Sequence, residues 1–143
     1  MKSKISLAFQ KCREEKRPAL LTYTVAGDNN KKKSIEIINS ISEFADIIEL
    51  GFPHNTPIAD GGQIQESSQR ALKAGIKLKD VFQIVSNFRR SNKTKPVILM
   101  GYYNIVYQFG EDKFLKMCQK VGVDGLIIVC LLYTSPSPRD GLL

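Results

Sequence analysis

Apolar residues follow two alternating patterns along this chain. Short runs are apolar at nearly every position: ALLTYTV (19–25), DIIEL (46–50), PVILM (96–100) and GLIIV (125–129). Between them lie longer segments whose apolar residues recur every three or four positions. The first pattern predicts strands buried on both faces, and the second predicts amphipathic helices packed against them. The helical segments are 4–16, 31–44, 63–74, 79–90 and 111–121. Ile35, Ile38 and Ile41 share one helical face, as do Val81, Phe82, Val85 and Phe88, and Phe114, Leu115 and Cys118 are expected to turn inward. Gly75 and Gly122 stand where two of these helices end.

The first three strand runs each lead into a loop of polar residues, glycine or proline: Ala26-Gly27-Asp28, GFPHNTPIADGG (51–62) and GYYN (101–104). Strands alternating with helices predict an α/β fold with a parallel sheet, whose ligand-binding edge lies at the carboxyl ends of the strands. A closed β/α barrel takes eight such units over ~250 residues. The chain accounts for about four of them, half a barrel. An open doubly wound sheet is the alternative, but no GxGxxG follows the first strand, so a dinucleotide site has no support.

With 143 residues, 43% hydrophobic and 24% charged, the chain has the composition of one globular domain. No stretch reaches the ~18 consecutive apolar residues of a membrane span. The opening MKSKISLAFQKCREEKR returns to charge too soon for a secretory signal. Cys12, Cys118 and Cys130 are odd in number and lack metal-like pairing, which points to a reducing, cytoplasmic setting and no metal. The net charge of +7 gathers at helix ends, in Lys31, Lys32 and Lys33 and in Arg89, Arg90, Lys93 and Lys95. Such cations are expected to be solvated, and no aromatic-interleaved basic stripe suggests nucleic acid. Residues 130–143, CLLYTSPSPRDGLL, have neither period and carry two Ser-Pro pairs. They are expected to be foreign to the domain or disordered, and they are similar to translated adapter or vector ends.

Glu49 is the leading candidate for chemistry. It sits inside an apolar strand immediately before a glycine–proline loop, where burial raises a carboxyl pKa toward the range useful for proton transfer. The competing reading is an ion-paired barrel glutamate. Asp60 lies eleven residues on, after a loop able to return it to the strand mouth, and two carboxylates in different surroundings can divide acid and base work. Alternatively it caps the helix beginning near Gly62. His54, the single histidine, reads as an exposed loop residue without a catalytic partner, and Cys12 and Cys118 read as small buried hydrophobes. Tyr23, Tyr102 and Tyr103 either line a pocket or pack in the core. No glycine-rich phosphate cradle is present; in barrels it follows the seventh and eighth strands.

The segment ADIIELGFPHNTPIADGGQIQESSQRAL resembles the second strand and loop of the tryptophan synthase alpha chain family, whose usual form is close to ELGIPFSDPxADGPxIQxAxxRAL. LLTYTVAGD, PVILMGYYNIVYQFG and VGVDGLIIV agree in order and spacing, so the likeness runs from residue 1 to about 129. It implies a (β/α)8 TIM barrel, here its first half, that cleaves indole-3-glycerol phosphate to indole and glyceraldehyde 3-phosphate. Glu49 matches the family's general acid/base, and Asp60 matches the aspartate acting at the indole nitrogen. Tyr23, Met100, Tyr102, Ile127 and Val129 fall where the family lines its indole pocket. Pro53, Asn55, Pro57 and Asn104 fall on surfaces facing the beta chain, the partner in an alpha2beta2 heterotetramer. That partner carries pyridoxal phosphate; no cofactor is implied for this chain.

The sequence departs from the family pattern at several points. Cys130, Leu131 and Leu132 stand where Asp-Leu-Pro or Asp-Val-Pro is usual, His54 and Asn55 replace commoner loop residues, and Gly62 stands where proline is frequent, which loosens a helix start. Without a phosphate anchor, the 143-residue polypeptide is expected to be inactive or nearly so. The rival readings are another phosphate-binding barrel, such as indole-3-glycerol phosphate synthase, and a non-catalytic module that docks on the beta chain. The synthase requires a lysine in its early strands, and strands two and three contain none.

Overall fold

A computed structural model describes residues 2–130. The expected tail therefore lies outside the described residues, apart from Cys130. Four strands, β1 (Leu21–Val25), β2 (Ile47–Gly51), β3 (Val97–Tyr102) and β4 (Gly125–Val129), form one parallel sheet in the order β1-β2-β3-β4. Sequential parallel order with a helical crossover between neighbours is the connectivity of a barrel wall. The helices are α1 (Lys4–Glu14), α2 (Lys31–Ser42), α3 (Gly62–Lys73), α4 (Leu78–Ser91), α5 (Tyr103–Phe109) and α6 (Glu111–Val121).

Side chains alternate across the strands, so each strand offers one set to the helices and another to the opposite face. Ile48, Leu50, Val97 and Leu99 belong to the helix-side core, with Val81, Phe82, Ile84, Val85 and Phe88 of α4 and Phe114 and Cys118 of α6. The rings of Phe52, Phe82, Phe109 and Phe114 meet at centroid distances of 5.7–6.5 Å, inside the range for favourable aromatic pairs. α1 lies at the amino ends of the strands. Its Lys4 pairs with Asp124, which precedes β4, at 3.1 Å, and Ile5 approaches Gly125. Asp46, which precedes β2, accepts two hydrogen bonds from Arg17 at 2.7 and 2.8 Å and one from the Leu20 amide at 2.8 Å. Asp46 is thus spent on closing the base, and β2 begins one residue later than the apolar run suggests.

Three expectations are corrected here. Leu115 is 51% exposed. It stands about 100° around α6 from Phe114, off the stripe that Phe114 and Cys118 define. GYYN is not a loop: β3 continues through Gly101 and Tyr102, and α5 begins directly at Tyr103. YNIVYQF holds neither glycine nor proline, and Val106 is buried against the sheet side, so a helix forms until Gly110 breaks it at φ +92°. The cations at and after the end of α4 are not all solvated. Arg89 is half-buried and donates to the carbonyls of Gly122 and Lys95 at 2.8 and 2.6 Å as well as to the Asp124 carboxylate, tying α4 to the bases of β3 and β4. Lys95 donates to the Ala45 carbonyl.

Candidate active site at the carboxyl edge of the sheet

Glu49 lies in the middle of β2, in register with Tyr23 on β1 and Ile98 on β3, on the face turned away from the helix layer. Its carboxyl group is half-buried, and burial alone pushes its pKa above the ordinary carboxylate range. The reading as an ion-paired glutamate finds no counterpart among the described residues: no cation pairs with it. One pleat further on, the same face reaches Gly51. A Cβ there would stand 2.1 Å from the Tyr23 hydroxyl. Glycine at 51 therefore makes the space in which the phenol leans across the strand end beside Glu49.

The loop after β2 returns to this edge by three attachments. The Phe52 amide donates to the Met100 carbonyl at 2.9 Å, and the Phe52 ring occupies the space over Gly101, where a Cβ would meet it at 2.1 Å. Pro53 and Pro57 are buried. The Ala59 amide donates to the Tyr102 hydroxyl at 2.9 Å. Asp60 is delivered next to that hydroxyl. It does not cap the following helix: α3 starts from Gly61 with no side-chain cap, and Asp60 contributes only its backbone carbonyl, which accepts from Gln65 at 2.9 Å. α3 begins at Gly62 despite the missing proline.

Electrostatics shows that these groups share one site. The Tyr23 phenol is pushed up first by burial, then by the charges of Asp60 and Glu49. The Tyr102 phenol is also raised, mainly by burial, with the Ala59 amide opposing and Asp60 adding to the rise. Two carboxylates and two phenols therefore converge at the mouth of β1–β3. Register puts the other expected pocket residues on this face: Gly51, Met100 and Ile127 form one row, and Tyr102 and Val129 the next. Met100 and Val129 are half-buried, and Ile127 is 42% exposed, so they line an open wall.

The remaining expected residues divide by exposure. Asn55 and Asn104 are exposed, beside Ile58 at 77% exposure, whereas Pro53 and Pro57 point inward and shape the loop from below. His54 is not the exposed residue expected: it is half-buried and stacks on Tyr102, ring centroids 4.8 Å apart. Tyr103 packs partly against the core, and its hydroxyl bonds Glu111 across the α5–α6 turn, away from the site. Cys12 and Cys118 are buried, as expected.

Sequence reasoning missed one support. Asp28, in the loop after β1, accepts from Arg70 Nε at 2.7 Å, Arg70 Nη2 at 2.8 Å and Ser67 Oγ at 2.7 Å, chiefly Arg70 holding its carboxyl below the usual range. The latch fastens α3, the helix that follows Asp60, to the end of β1. Ser67 and Arg70, three apart and so on one helical face, were the available signal.

A parallel sheet in sequential order, helices on one face and carboxylates at its carboxyl edge on the other, is half of a (β/α)8 TIM barrel. The sequence profile described as tryptophan synthase alpha chain matches residues 9–137, and the chain belongs to that family. It is 69% identical over 131 residues to the tryptophan synthase alpha chain of Pelagibacter ubique (strain HTCC1062), covering 92% of this chain and 49% of the relative. The crystal structure of tryptophan synthase subunit alpha from Legionella pneumophila str. Paris superposes with a TM-score of 0.87 at 34% identity, over 92% of this chain and 50% of that one. The tryptophan synthase complex from Pyrococcus furiosus gives a TM-score of 0.76 at 46% identity, over 79% and 46%. The chain thus spans about half the length of these relatives.

Proposed function

We propose that this chain supplies the acid–base half of a tryptophan synthase alpha site, a lyase of tryptophan biosynthesis that cleaves indole-3-glycerol phosphate to indole and glyceraldehyde 3-phosphate. The observation that carries the reading is the half-buried Glu49 carboxyl, without a cation partner among the described residues, whose charge acts on the Tyr23 phenol together with that of Asp60. Burial raises the Glu49 pKa above the ordinary carboxylate range, the direction a proton donor needs. Glu49 gives its proton to the indole carbon bearing the glycerol chain, while Asp60 draws the ring N–H proton. The Glu49 carboxylate left by that transfer takes the proton of the adjacent hydroxyl, which becomes the aldehyde as the carbon–carbon bond breaks. The bonding pair passes into the ring, and Asp60 returns its proton to the ring nitrogen to leave indole. Met100, Tyr102, Ile127 and Val129 form the apolar wall against which the indole lies, and Tyr23 closes it above Glu49.

This chemistry needs no cofactor on this chain. Pyridoxal phosphate belongs to the beta chain, the partner in a cytoplasmic alpha2beta2 heterotetramer, and exposed Asn55, Ile58 and Asn104 face it while Pro53 and Pro57 stiffen the loop from within. The described residues offer no glycine-rich phosphate cradle, and the 143-residue polypeptide by itself is expected to be inactive or nearly so. A synthase mechanism is disfavoured because β2 and β3 carry no lysine. The test is residues 1–129 joined to the remaining half of the Pelagibacter ubique alpha chain. The hybrid is expected to cleave indole-3-glycerol phosphate, and Glu49→Gln to lower kcat by about 10²–10⁴-fold. A hybrid whose rate is unchanged by Glu49→Gln overturns the assignment.

A further inference from the structure

The loop that carries Asp60 rests on a stack. His54 lies on the Tyr102 ring at 4.8 Å with the planes inclined by 32°. The same Tyr102 takes the Ala59 amide on its hydroxyl at 2.9 Å. Tyr102 is itself fixed: it is 4% exposed and ends β3 in register with Val129. His54 is therefore the movable layer of the stack, and the segment between it and Ala59 holds only two internal backbone bonds nearby, Ile58 to Thr56 at 2.9 Å and Asp60 to Pro57 at 3.0 Å. We propose that His54 is a positioning residue that makes the loop pH-responsive: neutral and stacked on Tyr102 it holds the loop closed with Asp60 at the site, and its protonation releases Ala59 from the Tyr102 hydroxyl.

The groups facing the imidazole are Asp60 from its own loop, Tyr102 from β3, Tyr103 at the start of α5 and Cys130 after β4; the last three line one shallow apolar depression with it. Burial lowers the His54 pKa below its ordinary value, and the Asp60 charge opposes this more weakly. A base whose folded pKa is lowered binds fewer protons closed than open, so the closed loop is favoured above the ordinary histidine pKa and weakens as pH falls below it. Burial opposes protonation of the ring more than the Asp60 charge favours it, and attraction of an imidazolium to the Tyr102 face acts on the side of Asp60. The consequence for Asp60 chemistry rests on the acid–base reading above; the clamp itself does not.

Amide exchange in the 143-residue chain tests it directly, with Ala59 as reporter and Phe52, bonded to the Met100 carbonyl, as internal control. Between pH 8 and pH 5 the protection of Ala59 is expected to fall several-fold along the His54 titration curve, while Phe52 stays constant. His54→Phe, which keeps the ring and removes the titration, holds Ala59 protected throughout; His54→Ala leaves it unprotected throughout. Protection of Ala59 that does not change with pH, or that still changes in His54→Phe, overturns the proposal. Should His54→Ala fail to fold, the His54→Phe comparison still decides. A clamp that follows His54 in a hybrid without lyase activity would sink the acid–base reading and leave the clamp standing.

Discussion

The two faces of the sheet are built from the same strands and answer to different demands. On the helix side, Ile48, Leu50, Val97 and Leu99 meet α4 and α6 in a closed core whose members are at most a few percent exposed. On the other side the same strands present Glu49, Tyr23, Met100 and Tyr102, with a carboxyl group that burial destabilises and Ile127 open to solvent. The helix face stores the stability of the domain, and the opposite face spends some of it to keep the Glu49 carboxyl partly out of water. The contrast can be broken from either side.

The largest loss is expected on the packed face. Phe82 is 2% exposed and meets Phe109 and Phe114 at 5.9 and 5.7 Å, so Phe82→Ala is expected to cost about 3–5 kcal/mol in denaturant unfolding. Next comes the edge. Gly51→Ala drives a methyl into the Tyr23 phenol and should cost about 1–3 kcal/mol. Removing the hydroxyl as well, in Gly51→Ala with Tyr23→Phe, should recover part of that loss, and strict additivity would show that the two residues do not touch.

Smaller effects should run the other way. The Thr22 hydroxyl is buried without a partner among the described residues, so Thr22→Val is expected to stabilise by about 0.5–1 kcal/mol, read as a shifted unfolding midpoint with unchanged slope. Glu49→Gln sharpens the comparison at the site. The Glu49 pKa is raised on folding, so the folded state binds more protons than the unfolded one, and the ionised carboxyl weakens the fold above its folded pKa. Glu49→Gln should therefore raise stability at neutral pH, the gain shrinking to nothing as the pH drops below the ordinary glutamate value. A destabilised glutamine variant at pH 7 would mean that Glu49 has a partner.

The runs that are apolar on both faces and the glycine stops were enough to place four strands and most of the helices, because periodicity and turn chemistry act over a few residues. Glu49 was legible for the same reason, as a lone carboxyl in an apolar strand. α5 was hidden: a run of seven residues is too short for its period to outweigh the neighbouring turn signals in GYYN. Leu115 was misplaced by one position on the helical wheel.

What the sequence determined by itself is therefore the alternation of elements, the core stripe of α4 and the family to which the chain belongs, all written in local spacing. The tertiary structure alone decided that the Ala59 amide bonds the Tyr102 hydroxyl and leaves Asp60 beside it, that His54 stacks instead of facing water, and that Arg70 reaches back 42 residues to Asp28. Those contacts join segments far apart along the chain, and their partners are selected by which strands lie side by side, information that no window of neighbouring residues contains.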